Sequence, residues 1–368
     1  MFPLLGQIVD DLYDTLRSGK PTAKHVIFVV GNGIHPVNNI LNDSELRKKA
    51  RPGMSAAEFD AFKWRHFEFA RYWTSNALPS FAHFCIRQLA KDDLCRDIIT
   101  TNYDLFFDGL WERTPSLAVA QNPVREPLEY DWDSYYSARP TTVGSPRYWK
   151  IHGSLSHVCF RQTVPPYLHH IHRLPRFAVS INNEDLASAY RIPSQAPVMN
   201  YEATKYLRTD FARPDEISGP FEPFIDWTYS NDRTRFRREI EGASDSMRDT
   251  TKLAALILLG FSGYFNDGDP TDSWNEELVP VIRALRSSGF KHVYMAVHRN
   301  QFANRLRPNY GLMRELISDK RCISYDKAGD FASRLFDKNS LRFPYRFVYN
   351  EYRLWSRWYL SGTEPRHS

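Results

Sequence analysis

Residues 253–259 read Leu-Ala-Ala-Leu-Ile-Leu-Leu, without one polar side chain. A strand with one wet face alternates apolar and polar residues, so an unbroken apolar run predicts a central strand of a parallel sheet, covered on both faces. Parallel neighbours need long crossover connections, usually helical. The chain offers both parts in alternation. Apolar, β-branched runs occur at residues 25–30, 98–101, 148–151, 292–297 and 322–325, with a further short strand predicted at 117–120. Between them, Ser55 and Glu58 form a capping box ahead of Phe59, Phe62, His66, Phe69 and Trp73 at helical spacing. A second helix is predicted from Ser80 through Phe81, Phe84, Cys85 and Leu89. A third, capped by Asp272 or Ser273, carries Leu278, Ile282 and Leu285 up to Gly289, and a fourth is predicted over 304–317. The pattern predicts an α/β fold, a doubly wound Rossmann-like parallel sheet with an inserted helical or irregular lobe.

With 368 residues, 42% of them hydrophobic and 25% charged, the chain can bury a large core. The pattern divides it into a Rossmann-like core over 1–34, 97–154 and 251–336 and a helical insertion over 35–96, placed to act as a lid. A second, irregular insertion of loops and short helices is predicted over the proline-rich stretch 155–250, and an aromatic-rich tail over 337–368. Tyr345, Phe347, Tyr349, Tyr352, Trp355 and Trp358 predict that the tail docks on the body or on another subunit. No apolar run reaches the length of a membrane span, about 18 residues, and residues 1–14 carry acids where a secretory leader carries bases. A cytoplasmic protein is expected. The four cysteines, Cys85, Cys95, Cys159 and Cys322, form no C-x-x-C pair, which suggests neither a zinc ribbon nor a disulfide framework. A formal charge of +5 allows an anionic ligand without requiring nucleic acid.

The ends of the predicted strands carry the chemistry. In an open α/β sheet, ligands bind outside the carboxyl ends of the strands. Gly31-Asn32-Gly33-Ile34 follows the first strand, and glycines there let backbone amides approach a pyrophosphate, although G-x-G alone also occurs in ordinary turns. Thr100-Thr101-Asn102-Tyr103-Asp104 follows the second, Lys150-Ile151-His152-Gly153-Ser154 another, and Gly260-Phe261-Ser262-Gly263 the apolar run. Taken singly, Asn102 reads first as a cap on the helix at Leu105, and His152 as a strand-end hydrogen-bond partner; their joint appearance with the glycine loops favours function. His66 reads as a core histidine. Two basic clusters, His169, His170, His172, Arg173 and Arg176, and Arg233, Arg235, Arg237 and Arg238, read first as solvated or salt-bridged faces. They leave direct nucleic-acid binding open. The histidines lack acidic or cysteine partners at metal-site spacing, so no metal is expected.

Four motifs in this order, each after a predicted strand, resemble the sirtuin-like superfamily. The T-x-N-Y-D form resembles its bacterial branch of antiphage, NAD-cleaving effectors more than the protein deacetylases. The resemblance spans residues 25–330 and implies NAD as the substrate. It implies that Gly31, Asn32, Gly33, Ile34, Gly260, Ser262 and Gly263 line the phosphates, and that Thr101 and Asp104 lie with the nicotinamide pocket. Asp326 is implied near the adenine, and His152 and Asn102 flank the nicotinamide ribose. Nicotinamide leaves NAD as a neutral molecule, so breaking its bond to ribose needs no general acid, only a site that tolerates an oxocarbenium-like transition state and places a nucleophile. An imidazole exchanges protons near neutral pH, and a carboxamide both donates and accepts hydrogen bonds. His152 is thus expected as general base and Asn102 as the residue orienting water and ribose. The zinc-binding cysteine pairs of deacetylating sirtuins have no counterpart after His152, and His35 stands where those enzymes have serine. NAD hydrolysis is therefore favoured over deacylation, with a noncatalytic dinucleotide-binding or assembly subunit as the third reading. Relatives of this kind act as homo-oligomers or with partners such as HerA-type ATPases, and either arrangement is expected here.

Overall fold

The computed structural model describes residues 25–34, 50–56, 58–59, 62, 66, 70, 74, 79–91, 95–107, 129–130, 147–160, 171–173, 221–225, 237–250, 253–261, 278–306, 310–325, 352–353 and 356. Ten strands fall among them. They are β1 (His25–Val30), β2 (Cys95–Thr100), β3 (Glu129–Tyr130), β4 (Arg147–Lys150), β5 (Gly153–Phe160), β6 (Ile171–Arg173), β7 (Phe221–Ile225), β8 (Leu253–Leu259), β9 (Val293–His298) and β10 (Cys322–Tyr325).

Six of them form one sheet in the order β10-β9-β8-β1-β2-β4, and every neighbouring pair is parallel. The chain starts at the centre with β1, runs outward through β2 to β4, returns beside β1 as β8, and runs outward the other way. This is the two-halved, doubly wound order, and its direction reverses between β1 and β8. The apolar run is β8, buried at all seven positions between β1 and β9. Its side chains alternate. Leu256 and Leu258 join Ile27, Val29, Ile99, Met295 and Val297 in a cluster on one face, with the apolar sides of helices Arg237–Arg248, Val279–Ser287 and Gly311–Ser318. The helix Phe81–Lys91 packs against β2 and contributes nothing to that cluster. It covers the other face, where Phe28, Ile98 and Ile257 are buried.

The Arg237–Arg248 helix is seated by two contacts. A Cβ added to Gly242 would lie 2.2 Å from Cζ3 of Trp149, so the helix rests its backbone on the indole. Near the other end of the helix stands Asp97, fully buried at the start of β2. Its carboxylate takes Arg96 Nε (2.7 Å), Arg147 Nε (2.8 Å), Trp149 Nε1 (3.0 Å) and Ser246 Oγ (3.4 Å). A buried carboxylate this well supplied with donors is tolerated, and losing any one donor exposes its desolvation cost. The cluster also fixes register, because Asp97 and Arg147 are partners across β2 and β4.

Most sequence expectations match these elements, with three differences. First, residues 155–250 were expected as loops and short helices. Instead most of β5 together with β6 and β7 lies there and joins β3 from before it in an antiparallel sheet ordered β3-β6-β5-β7, and the Arg237–Arg248 helix packs into the main core. Short strands whose partners are distant in sequence leave no local periodicity to read. Second, within the helix expected over 304–317 the described helix is Gly311–Ser318, residues 303–306 form turn, and a separate short helix precedes them at Arg299–Phe302. Third, the described part of the helix that ends before Gly289 starts at Val279, and its expected caps Asp272 and Ser273 lie outside the described residues. So do the strand expected at 117–120 and residues 1–24. The capping box is present. Ser55 N–H and Oγ both donate to Glu58 Oε2, at 2.7 and 2.8 Å, and Glu58 N–H returns to Ser55 Oγ at 3.3 Å. These bonds, the backbone one first, hold the Glu58 carboxyl below its ordinary range. His66 is a core residue, fully buried.

Candidate functional site

Parallel pairing places the carboxyl ends of all six core strands along one edge. Lateral order along it runs from β8 through β1 and β2 to β4. With strands about 4.8 Å apart, the turn after β8 and the turn after β4 stand about 14 Å from each other across the edge.

At the reversal between β1 and β8, three glycines meet. Gly31 N–H donates to Leu259 O at 2.9 Å and Gly33 N–H to Gly260 O at 2.7 Å. A Cβ on Gly31 or Gly33 would lie 2.8 or 2.7 Å from the Gly260 carbonyl, and Gly260 itself adopts a φ of +77°, which side-chain-bearing residues resist. The glycines were expected to bring amides to a pyrophosphate. Their first task is different: they allow the backbones after β1 and β8 to touch, and the N–H groups of Gly31 and Gly33 are occupied by that contact. The turn Asn32–Ile34 then closes as one 3-10 turn, with Asn32 and Gly33 exposed at the crevice and Ile34 buried beneath. Ser262, Gly263 and Asp326 lie outside the described residues.

Next along the edge, Thr101, Asn102 and Tyr103 are half-buried in the turn after β2. The turn is held from below. Thr100 Oγ donates to Val30 O at 2.9 Å and accepts the Asn102 N–H at 2.9 Å, which ties the Asn102 backbone to β1. The helical turn that follows is capped by Asp104, whose Oδ1 accepts the Phe106 N–H at 3.0 Å. Asp104 thus makes a cap of the kind the sequence offered as an alternative role for Asn102. Asp104 is buried.

His152 ends β4 as Asn102 ends β2. Thr100 and Lys150 are register partners in the parallel ladder, and each site residue lies two positions beyond its partner. The ladder continues past the strands, since Ile151 N–H donates to Thr100 O (3.0 Å) and Leu155 N–H to Tyr103 O (2.8 Å). His152 is half-buried. Gly153, at φ +87°, then reverses the chain into β5 and pairs with Ile225 of β7. His152 therefore sits in the short turn between the large sheet and the small one.

Two residues of the motif around His152 were given no role of their own in the sequence. Lys150 and Ser154 are buried between the turns, and Lys150 Nζ donates to Asp104 O at 2.5 Å and to Ser154 Oγ at 3.0 Å. The available signal was a lysine closing an otherwise aromatic and apolar strand. A further residue, His83, is fully buried against Phe106 and Phe107, ring centroids 5.4 and 4.7 Å away. Its Nδ1 lies 3.2 Å from the Ser80 N–H nitrogen and 2.7 Å from Ser80 Oγ.

Among the described residues, no cluster of three or more histidine, cysteine, aspartate or glutamate side chains is placed to hold a metal, and no helix is long and apolar enough to cross a membrane.

No protein-family model matches the chain, and no curated protein does. Solved structures do. A Sir2 homologue mutant in complex with ADP-ribose is 14% identical, over 94% of this chain and 98% of that one, with a TM-score of 0.48. A Sir2 homologue in complex with NAD is 14% identical over 93% and 94%, TM-score 0.46. A third, described under the mechanism and regulation of Sir2 enzymes, is 16% identical over 90% and 96%, TM-score 0.44.

Proposed function

We propose that this chain is an NAD glycohydrolase of the sirtuin-like kind, which cleaves the nicotinamide–ribose bond to give nicotinamide and ADP-ribose. The observation that carries the reading is the pairing of Asn102 and His152. They are 50 residues apart in sequence, yet both stand two residues past the Thr100–Lys150 register pair, on adjacent strands, at the ligand edge of a doubly wound sheet. The four motifs on which the sequence resemblance rests all follow core strands of that sheet.

In this reading NAD lies across the β1–β8 reversal with its phosphates over the exposed Asn32–Gly33 turn and its nicotinamide ribose toward Asn102 and His152. The C–N bond breaks with its electron pair passing to the nicotinamide nitrogen, which cancels the positive charge of the ring. Water held by the Asn102 carboxamide attacks the anomeric carbon. His152 accepts the proton that water releases, so one NAD and one water become nicotinamide, ADP-ribose and a proton. The half-buried setting of both side chains leaves them open to a ligand, and the buried residues beneath hold them still.

The test is nicotinamide release from NAD by the purified chain. Removing a general base costs about 10²- to 10⁴-fold, so His152→Ala is expected to lose at least about 100-fold in kcat, and Asn102→Ala a similar amount. Release that occurs only with an acylated peptide assigns the site to deacylation. Binding of ADP-ribose without release, alone or with partners, assigns the chain to the noncatalytic class.

Unchecked NAD cleavage would exhaust the pool of its own cell. The motif resemblance points to a cytoplasmic antiphage effector held inactive until a homo-oligomer forms or a partner such as a HerA-type ATPase binds. Native mass measurement, alone and with such a partner, reads that assembly directly.

A further inference from the structure

Lys150 is 2% exposed, and an ammonium in that position has surrendered nearly all of its hydration. Burying such a charge costs several kcal/mol unless its three N–H donors are met in good geometry. Two of them are met by hydrogen bonds on either side of the strand end. One goes to the backbone carbonyl of Asp104, in the turn after β2, at 2.5 Å. Another goes to Ser154 Oγ, at the start of β5 just past the turn after β4, at 3.0 Å. The ammonium also stands 5.3 Å from the centroid of the Tyr148 ring, a cation–π distance.

Asp104 is two residues beyond Asn102, and Ser154 two beyond His152. The ammonium therefore bolts together the two turns that carry the site, at the same sequence offset on each side. Apolar packing could hold the same turns together at less cost but with less directional control, because dispersion has no preferred angle whereas three N–H donors do.

We propose that Lys150 is a positioning residue that sets the distance between Asn102 and His152 by clamping the turns after β2 and β4. The proposal rests on the glycohydrolase reading for its kinetic consequence, and on the two hydrogen bonds alone for its structural one. The clamp acts on alignment of the reacting groups and not on holding the ligand. A misplacement near 1 Å can cost about 100-fold in rate while the rest of the ligand still binds.

The experiment compares the full-length wild-type chain with Lys150→Met, Ser154→Ala and the double variant in three measurements. These are nicotinamide release at saturating NAD, calorimetric affinity for ADP-ribose, and hydrogen exchange at the amides of Ile151 and Leu155, which bridge the two turns. Methionine keeps an unbranched apolar stem of nearly the same length while removing the ammonium. Lys150→Met is expected to lower kcat by about 10- to 100-fold with ADP-ribose affinity within about threefold of wild type. Both bridging amides are expected to exchange at least about tenfold faster, while those of β8 stay protected. Ser154→Ala is expected to lower kcat by about tenfold, and adding it to Lys150→Met to cost nothing more, since the shared bond is already gone. Unchanged exchange at Ile151 and Leu155 in both single variants overturns the clamp. So does an equal loss of ADP-ribose affinity and kcat, which would make Lys150 a ligand-binding group. If Lys150→Met fails to fold, Ser154→Ala decides by the same criteria. If wild type binds ADP-ribose but releases no nicotinamide, the hydrolase reading falls, and the exchange data alone uphold or reject the clamp.

Discussion

Cys85, Cys95 and Cys322 are buried, and burial raises each thiol above its ordinary range, Cys322 to about 12. For Cys95 the nearby Asp97 carboxylate adds to the effect of burial. The consequence is a stability that depends on alkaline pH. In the unfolded chain a thiol loses its proton near pH ~8.5, while folded Cys322 keeps it until about 12. Between those limits the unfolded state binds fewer protons, so its free energy falls relative to the folded state as pH rises. The stabilisation is therefore complete below about pH 8.5 and declines above it. Each such thiol steepens the decline by about 1.4 kcal/mol per pH unit. Urea unfolding of wild type and Cys322→Ala at several pH values between about 9 and 10.5 should show a slope shallower by that amount in the variant. Equal slopes would mean that Cys322 is not held protonated. The same residue scale explains what the sequence did not disclose about Lys150. A lysine at a strand end is ordinarily read as solvent-facing, and only the convergence of Asp104 and Ser154 on its ammonium makes it internal.

Helix ends show how far local sequence reaches. Gly289 was read as the stop of the helix before it, and it is: at φ +90°, its N–H returns to Arg286 O at 3.0 Å, and Phe290 N–H to Leu285 O at 3.1 Å. The Gly311–Ser318 helix ends in the same motif, with Lys320 N–H on Ile317 O at 3.0 Å and Arg321 N–H on Leu316 O at 2.7 Å. Here the left-handed position, φ 58°, belongs to a lysine. A side chain in that conformation costs about 1–2 kcal/mol, which glycine avoids. Lys320→Gly is expected to raise unfolding free energy by about 1 kcal/mol at an unchanged denaturant slope. A loss of stability would show that the lysine side chain contributes more than its backbone costs. The two helices also meet through ion pairs of Arg286 with Glu315 and Asp319, and of Arg283 with Glu315 at 3.5 Å. Their partners are about 30 positions apart in sequence, and no local pattern announces them.

The tail joins the body through one described aromatic. Tyr352 lays its ring against Phe81 and Phe84, centroids 5.1 and 5.5 Å apart, and its hydroxyl donates to Pro79 O at 3.2 Å. Of the two dockings the aromatic tail suggested, Tyr352 takes the one on its own chain. It fastens the start of the Phe81–Lys91 helix, whose His83 packs on Phe106 and Phe107 just beyond the Asn102 turn. Tyr352→Phe is expected to cost about 0.5–1.5 kcal/mol for the hydrogen bond. Because the ring is only half-buried, Tyr352→Ala should cost about 1–3 kcal/mol, below the range for a fully buried aromatic. Thermal melting reads both, and an unshifted midpoint for Tyr352→Ala would show that this contact does not hold the tail. The amino-acid order alone was enough to mark the alternation of strands and helices, the glycines at the strand ends and the two polar turns, because these depend on side-chain periodicity and on φ within a few residues. Tertiary structure decided the rest: that β8 returns beside β1, that three glycines are consumed by that crossing, that the stretch after Ser154 builds a second sheet, and that a buried lysine ties the Asn102 turn to the His152 turn. Each of these joins groups dozens of residues apart, where the determining energy is packing and desolvation between segments and no local pattern encodes it.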